Sequence, residues 1–158
     1  MKEGILIIDK PAGVTSHDIV ELVRKKINTK QVGHSGTLDP VATGVLVLLV
    51  GKATKLFAKF VHFDKEYEAI LRLGIVTSTG DSQGKILSEK DFSHLTEDTV
   101  RDAFLEFIGP RQQVPPMVSA IKHKGRRLYE LARRGIEVER ASRPINIYEL
   151  NITRMELP

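Results

Sequence analysis

Residues 33–55, GHSGTLDPVATGVLVLLVGKATK, decide how this chain is to be read. The first half is turn material rich in Gly and Thr and carries a single acid, Asp39. The second half is a continuous apolar run, VLVLLV, with glycines on either side. A run this short, rich in valine, reads as a central strand covered on both faces. It is far too short to cross a bilayer. Asp39 therefore sits in the loop that feeds a core strand, held among Gly33, Gly36 and Gly44, which let backbone and ligand approach closely.

The surrounding chain supplies the rest of a sheet and its helices. GILIIDKP reads as a buried strand over residues 5–8, stopped by Pro11. TSHDIVELVRKKI reads as a helix capped by Thr15 or Ser16, with Asp18 in its first turn and Ile19, Val23 and Ile27 on one face. KEYEAILRLG alternates, with Tyr67, Ala69, Leu71 and Leu73 on one side, and reads as a half-buried strand. Thr96 can cap a second helix carrying Val100, Phe104 and Ile108, closed by Gly109-Pro110. Pro115-Pro116 forbids a long helix after it, and RRLYELARRG forms a short basic one ended by Gly135. Strand character resumes at Ile145. The order implies an α+β fold, a mixed sheet with helices packed on it.

Bulk properties narrow the function classes. A chain of 158 residues can bury one domain's core, and 41% apolar with 28% charged residues is ordinary for a globular protein. There is no cysteine, which excludes disulfides and a thiolate metal site. The N-terminus lacks a signal peptide's length and cleavage site, so a cytoplasmic protein with no membrane partner is expected. The net charge is +4. Eight basic and three acidic residues between positions 122 and 143 give that segment +5 and leave the rest at −1. Such a strip is either a solvated helix face or a surface for a polyanion.

The chemistry-bearing residues are few. Asp39 has only His34 nearby, too little for a metal site, and nothing marks a second acid for two-carboxylate hydrolysis. The commoner use of such an aspartate is to cap a turn or a helix; the functional one is a lone nucleophilic carboxylate. His34 can be a plain surface group or can meet a base or phosphate. Tyr67, the only aromatic of its predicted strand, reads by itself as core packing. GDSQGK misses the phosphate-loop spacing because Ile86 follows the lysine, so a nucleotide-binding loop is excluded.

Five blocks, GILIIDKPAGVTSHDIV, VGHSGTLDPVATGVLVLLVGKATK, KEYEAILRLGIVTSTGDSQG, QVPPMVSAIKHKGRRLYELARRGIEVER and RPINIYEL, resemble in that order the bacterial TruB-type tRNA pseudouridine synthases. The resemblance covers nearly the whole chain, and GTLDPxATGVL is its most specific part. It implies a mixed, largely antiparallel sheet flanked by helices, the pseudouridine synthase fold. The implied reaction is isomerisation of uridine to pseudouridine at position 55, in the T-loop of tRNA, with the target base flipped out. Asp39 matches the catalytic aspartate, His34 the histidine that enters the T-loop, and Tyr67 the tyrosine that stacks on the target uracil. Residues 115–143 look like the insertion that closes over RNA, with Lys122, Arg126 and Arg127 as substrate-binding cations. No cofactor or metal is implied, and the expected state is a monomer bound to the T-loop and stem of tRNA.

Nothing is hydrolysed in such a reaction, so no second carboxylate is needed to activate water, and a single nucleophile suffices. The family carries a further motif after RPINIYEL, with an arginine that pairs with the aspartate, and then a C-terminal RNA-binding extension. Residues 1–158 are accordingly expected to be a partial catalytic domain, truncated at the C-terminus and by itself inactive or nearly so. A second reading, from a different class, is a non-catalytic RNA-binding or tRNA-chaperone module. The Asp39, His34 and Tyr67 set weighs against it, since binding alone does not need the carboxylate, and the missing arginine weighs for it. A third is the guide-RNA-dependent relative of archaea and eukaryotes, against which the short N-terminus and the lack of long basic tails both count.

Overall fold

A computed structural model describes residues 2–119 and 121–157. The chain divides into two compact units, Met1–Glu68 and Ala69–Pro158.

The first unit is built on strand β3 (Gly44–Val50), the apolar run itself. Strand β1 (Gly4–Lys10) pairs antiparallel along its whole length, from Gly4 opposite Val50 to Lys10 opposite Gly44. Strand β2 (Val32–His34) pairs antiparallel on the other side, with His34 opposite Leu48. Helix α1 (Ser16–Ile27) lies between β1 and β2 in the chain. Its Ile19, Val20 and Val23 form one buried cluster with Val32, Leu46, Leu48 and Val50, and Ile8, Val14, Ile27 and Leu38 pack against it. Burial of these side chains is the main stabilisation of the unit.

Thr15, not Ser16, caps α1. The Asp18 amide donates to the Thr15 hydroxyl (3.1 Å), and the Asp18 carboxylate accepts from the Thr15 amide (2.8 Å) and hydroxyl (2.7 Å). Two otherwise unpaired amides are thereby satisfied. Asn28 ends the helix in the left-handed conformation, its φ +50°. A 3-10 turn (Gly51–Leu56) and the short helix α2 (Phe57–Val61) follow β3.

Helix α1 covers one face of the sheet; on the other, Leu49 is buried but much of the face is open. Ile5, Ile7 and Val45, on the face away from α1, are exposed, so the expectation of burial on both faces fails at Val45 and that of a buried first strand fails along β1. An apolar run announces that a strand is central; what lies over each face is decided by other elements.

Among its described residues the second unit carries three antiparallel ribbons: β4 (Ile75–Thr77) with β5 (Ile86–Glu89), β6 (Gly109–Gln113) with β9 (Arg143–Ile147), and β7 (Lys122–His123) with β8 (Arg126–Arg127). Helix α3 (Glu97–Glu106) starts at the Thr96 cap and stops before Ile108; helix α4 (Leu128–Ala132) follows β8. Leu128 and Leu131 of α4 are buried. Every strand pairing among the described residues is antiparallel, and with four helices the fold is α+β.

KEYEAILRLG does not form the expected strand. Residues 64–72 have neither helix nor strand conformation, and Tyr67, Ile70 and Leu71 are exposed. Alternation prepares a segment for a sheet, but a strand exists only where a neighbour takes its backbone hydrogen bonds. None among the described residues pairs with it.

Candidate active site

Asp39 lies in the loop between β2 and β3 and is exposed. Its carbonyl accepts from the Ala42 amide at 3.0 Å, closing a turn with Asp39 first and Pro40 second. Aspartate at the first position and proline at the second are the favoured residues of such a turn. The turn-opening use of Asp39 is thus real, and it is carried by the backbone carbonyl. The loop enters β3 through Gly44, whose φ of +111° no ordinary L-residue adopts without strain. Gly33 and Gly36 have no such φ, and a Cβ at either would meet nothing within 4 Å.

Both neighbours of Asp39 are anchored. The Ser16 hydroxyl accepts from the Leu38 amide (2.9 Å) and lies 3.1 Å from the Leu38 carbonyl, to which it donates. On the other side the Pro40 carbonyl accepts from the Gly13 amide at 2.7 Å and from the Lys10 ammonium at 3.4 Å. Lys10 is 0% exposed, and its Nζ also donates to the carbonyls of Pro11 (2.9 Å) and Val14 (2.8 Å). Three donors meet three carbonyls, which is how a buried ammonium is tolerated.

Neither Lys10 nor the structural use of Ser16 was evident from motif reading. The signal for Lys10 was available: alternation along β1 puts Lys10 on the same face as Ile8, toward the core. A lysine at an inward position must find acceptors, and the following Pro-Ala-Gly-Val loop supplies them.

His34 is the last residue of β2, so the loop has His34 at its start and Asp39 at its turn. Its Nδ1 lies 2.7 Å from the Gly36 carbonyl. A carbonyl only accepts, so Nδ1 carries the proton in this contact. The Ser35 amide donates to the Val47 carbonyl at 3.0 Å, continuing the β2–β3 pairing one residue past His34. Tyr67 lies outside this loop, on the irregular stretch 64–72, and is 70% exposed.

The predicted cations fall in the second unit, on the β7–β8 hairpin. Lys122 pairs opposite Arg127, and His123 opposite Arg126. Lys124 (φ +47°) and Gly125 (φ +86°) make the two-residue turn, the geometry favoured for tight hairpins. Lys122, Arg126 and Arg127 are all exposed. Like charges directly across a strand pair repel, so the hairpin holds its cations at a cost that a bound anion would offset. The segment is less bare of anchors than its charge suggests, because Leu128 and Leu131 are buried. No helix among the described residues is long and apolar enough to cross a membrane.

Residues 24–158 match the model of the TruB family pseudouridylate synthase N-terminal domain. The tRNA pseudouridine synthase B of Alkaliphilus oremlandii is 53% identical over 149 residues, 94% of this chain and 50% of that protein. That of Clostridium tetani is 48% identical over 155 residues, 98% of this chain and 54% of that protein. The chain spans about half the length of these curated relatives. Among solved structures, the crystal structure of a Cbf5-Nop10-Gar1 complex superposes with a TM-score of 0.59 at 25% identity, over 97% of this chain and 36% of that one. A match over most of the chain, around a loop that anchors both neighbours of one exposed carboxylate, makes this chain a member of the TruB pseudouridylate synthase family, in its N-terminal domain.

Proposed function

We propose that the protein containing this chain isomerises uridine to pseudouridine in tRNA, at position 55 of the T-loop, with Asp39 as the nucleophile. The observation that carries the reading is the Asp39 loop: one carboxylate on a turn whose two neighbours are tied to buried groups. A nucleophile gains from being held in place before the substrate arrives.

The reaction is balanced within the substrate. The bond from sugar C1′ to uracil N1 breaks, a bond from C1′ to C5 forms, C5 loses its proton and N1 gains one. No water is consumed, which suits a site with one carboxylate. Flipping the uridine out of its stack costs a few kcal/mol. Stacking on an aromatic face is worth about 1–3 kcal/mol per base, and the exposed ring of Tyr67 is suited to supply it. In this reading His34, at the start of the same loop, meets the RNA beside the extruded base. Lys122, Arg126 and Arg127 serve the phosphate backbone, which they can position but not read by sequence. Residues 115–143 are in this reading the RNA-contacting insertion of the catalytic domain.

The test uses an unmodified tRNA transcript carrying tritium at uracil C5, so that each isomerisation releases label to water. The chain is assayed alone and as a chimera in which it replaces the matched half of the Alkaliphilus oremlandii relative. The chimera is expected to release label from the parent transcript and not from one with cytidine at the T-loop position, and the chain alone to release little or none. Tight binding with no release from either protein would favour the non-catalytic RNA-binding module instead.

A further inference from the structure

We infer that Ser16, the first residue of α1, is a positioning residue for Asp39: it ties the residue before the carboxylate to helix α1, which packs on the sheet's core. The inference rests on the reading of Asp39 as nucleophile.

Three observations converge on Ser16. First, its hydroxyl is not used by its own helix, because Thr15 caps α1. Second, that hydroxyl makes a reciprocal pair with Leu38, accepting from its amide at 2.9 Å and donating to its carbonyl at 3.1 Å. Third, Ser16 is 2% exposed, so water cannot readily stand in for it. A serine bonded to both backbone groups of one residue fixes that residue's position and its rotation together. Leu38 in turn packs against the buried cluster that Ile19, Val20 and Val23 of the same helix form with β2 and β3. The backbone of Leu38 is thus held by α1, and its side chain by the core that α1 helps to build.

Asp39 is then confined from two directions. Behind it, Leu38 is held by Ser16. Ahead of it, Pro40 has its φ set by the ring, and its carbonyl is held by Gly13 and Lys10. Between these anchors the freedom left to the carboxylate is chiefly its own side-chain rotation. A catalytic group misplaced by about 1 Å can lose about 100-fold in rate. Ser16 thus acts on Asp39 through the backbone without touching substrate.

The variants are Ser16→Ala, Ser16→Cys and, as a control, Thr15→Ala. Cysteine keeps nearly the volume of serine but hydrogen-bonds weakly. Thr15→Ala weakens the same helix while leaving the Leu38 pair in place. Amide hydrogen exchange at Leu38 is read by NMR in the 158-residue chain. Single-turnover rates at saturating tRNA, and tRNA affinity, are read in the chimera. Both Ser16 variants are expected to speed exchange at Leu38 and to slow the single turnover by about 10- to 100-fold, with affinity within about twofold of the parent. Thr15→Ala is expected to lower the melting temperature and leave exchange at Leu38 and the rate near the parent values. Unchanged exchange and rate in Ser16→Ala, a parent-like rate in Ser16→Cys, or a Thr15→Ala rate as low as that of Ser16→Ala would each overturn the inference. Turnover that survives Asp39→Asn would instead remove the nucleophile reading, and it is measured separately from exchange at Leu38.

Discussion

Asp39 contributes to its turn through a carbonyl and to the proposed chemistry through a carboxylate, so the two roles can be separated by one substitution. Asp39→Asn keeps the size of the side chain and the Ala42 bond. It is expected to abolish tritium release by the chimera and to leave tRNA affinity nearly unchanged, since phosphate and stacking interactions supply most of the binding. A rate within about tenfold of the parent would remove Asp39 from the reaction. Lys10 is the opposite case, a charged residue whose work is internal. Lys10→Met strips the carbonyls of Pro11 and Val14 of a buried donor and removes one of two from Pro40. These part-buried acceptors can turn partly to water, so the cost is about 1 kcal/mol, the low end for an unmatched acceptor, to be read as a lower urea midpoint at unchanged slope.

Helix α1 depends on pH through its cap. The Thr15 hydroxyl, and after it the Thr15 amide, hold the Asp18 carboxyl below its ordinary value. A carboxyl depressed in the folded state adds stability that is fully present above its unfolded value and is lost as pH falls through the folded one. The loss therefore sets in below about pH 4. Asp81, held low first by the Thr79 hydroxyl, and Asp91, held low first by the Ser93 amide, act in the same direction. Asp18→Asn should flatten only part of the acid limb in urea melts taken between pH 7 and pH 3. Thr15→Ala, which removes the cap at every pH, should cost about 1 kcal/mol at pH 7. In the sheet beneath, Leu48 of β3 is fully buried between β1 and β2. Leu48→Ala is expected to cost about 2–5 kcal/mol in the same melts.

Over the whole molecule, charge is concentrated while its net value stays small. The +5 of residues 122–143 stands against −1 elsewhere, and the β7–β8 hairpin presents Lys122, Arg126 and Arg127 on its surface. Binding that depends on phosphate neutralisation falls linearly in log affinity with log salt. Reversing Arg126 and Arg127 to Glu should weaken tRNA binding at every salt concentration and reduce that slope by about 1 for each phosphate no longer neutralised. An unchanged slope would place both arginines away from the RNA.

Local patterns in the chain were enough for α1 with Asp18 in its first turn, for β3 as a central strand, and for the turn at Asp39. In each case the deciding forces act between residues close in sequence: a cap with its first turn, proline's fixed φ, apolar periodicity. The family, too, was legible from five short blocks. What required the tertiary structure was everything set by a distant partner. Whether residues 64–72 become a strand depends on a neighbouring backbone, and their alternation is silent about that. Val45 and Ile7 look as buried in the sequence as Leu46 and Ile8, yet α1 covers only one face of the sheet. Ser16 reads as an alternative cap and Lys10 carries no local signal of its partners; that their bonds flank Asp39 follows from β1, α1 and the β2–β3 loop converging at one point. Hydrogen bonds across 22 and 30 residues leave no local trace, because the chain between the partners is free to vary while their meeting is decided by packing.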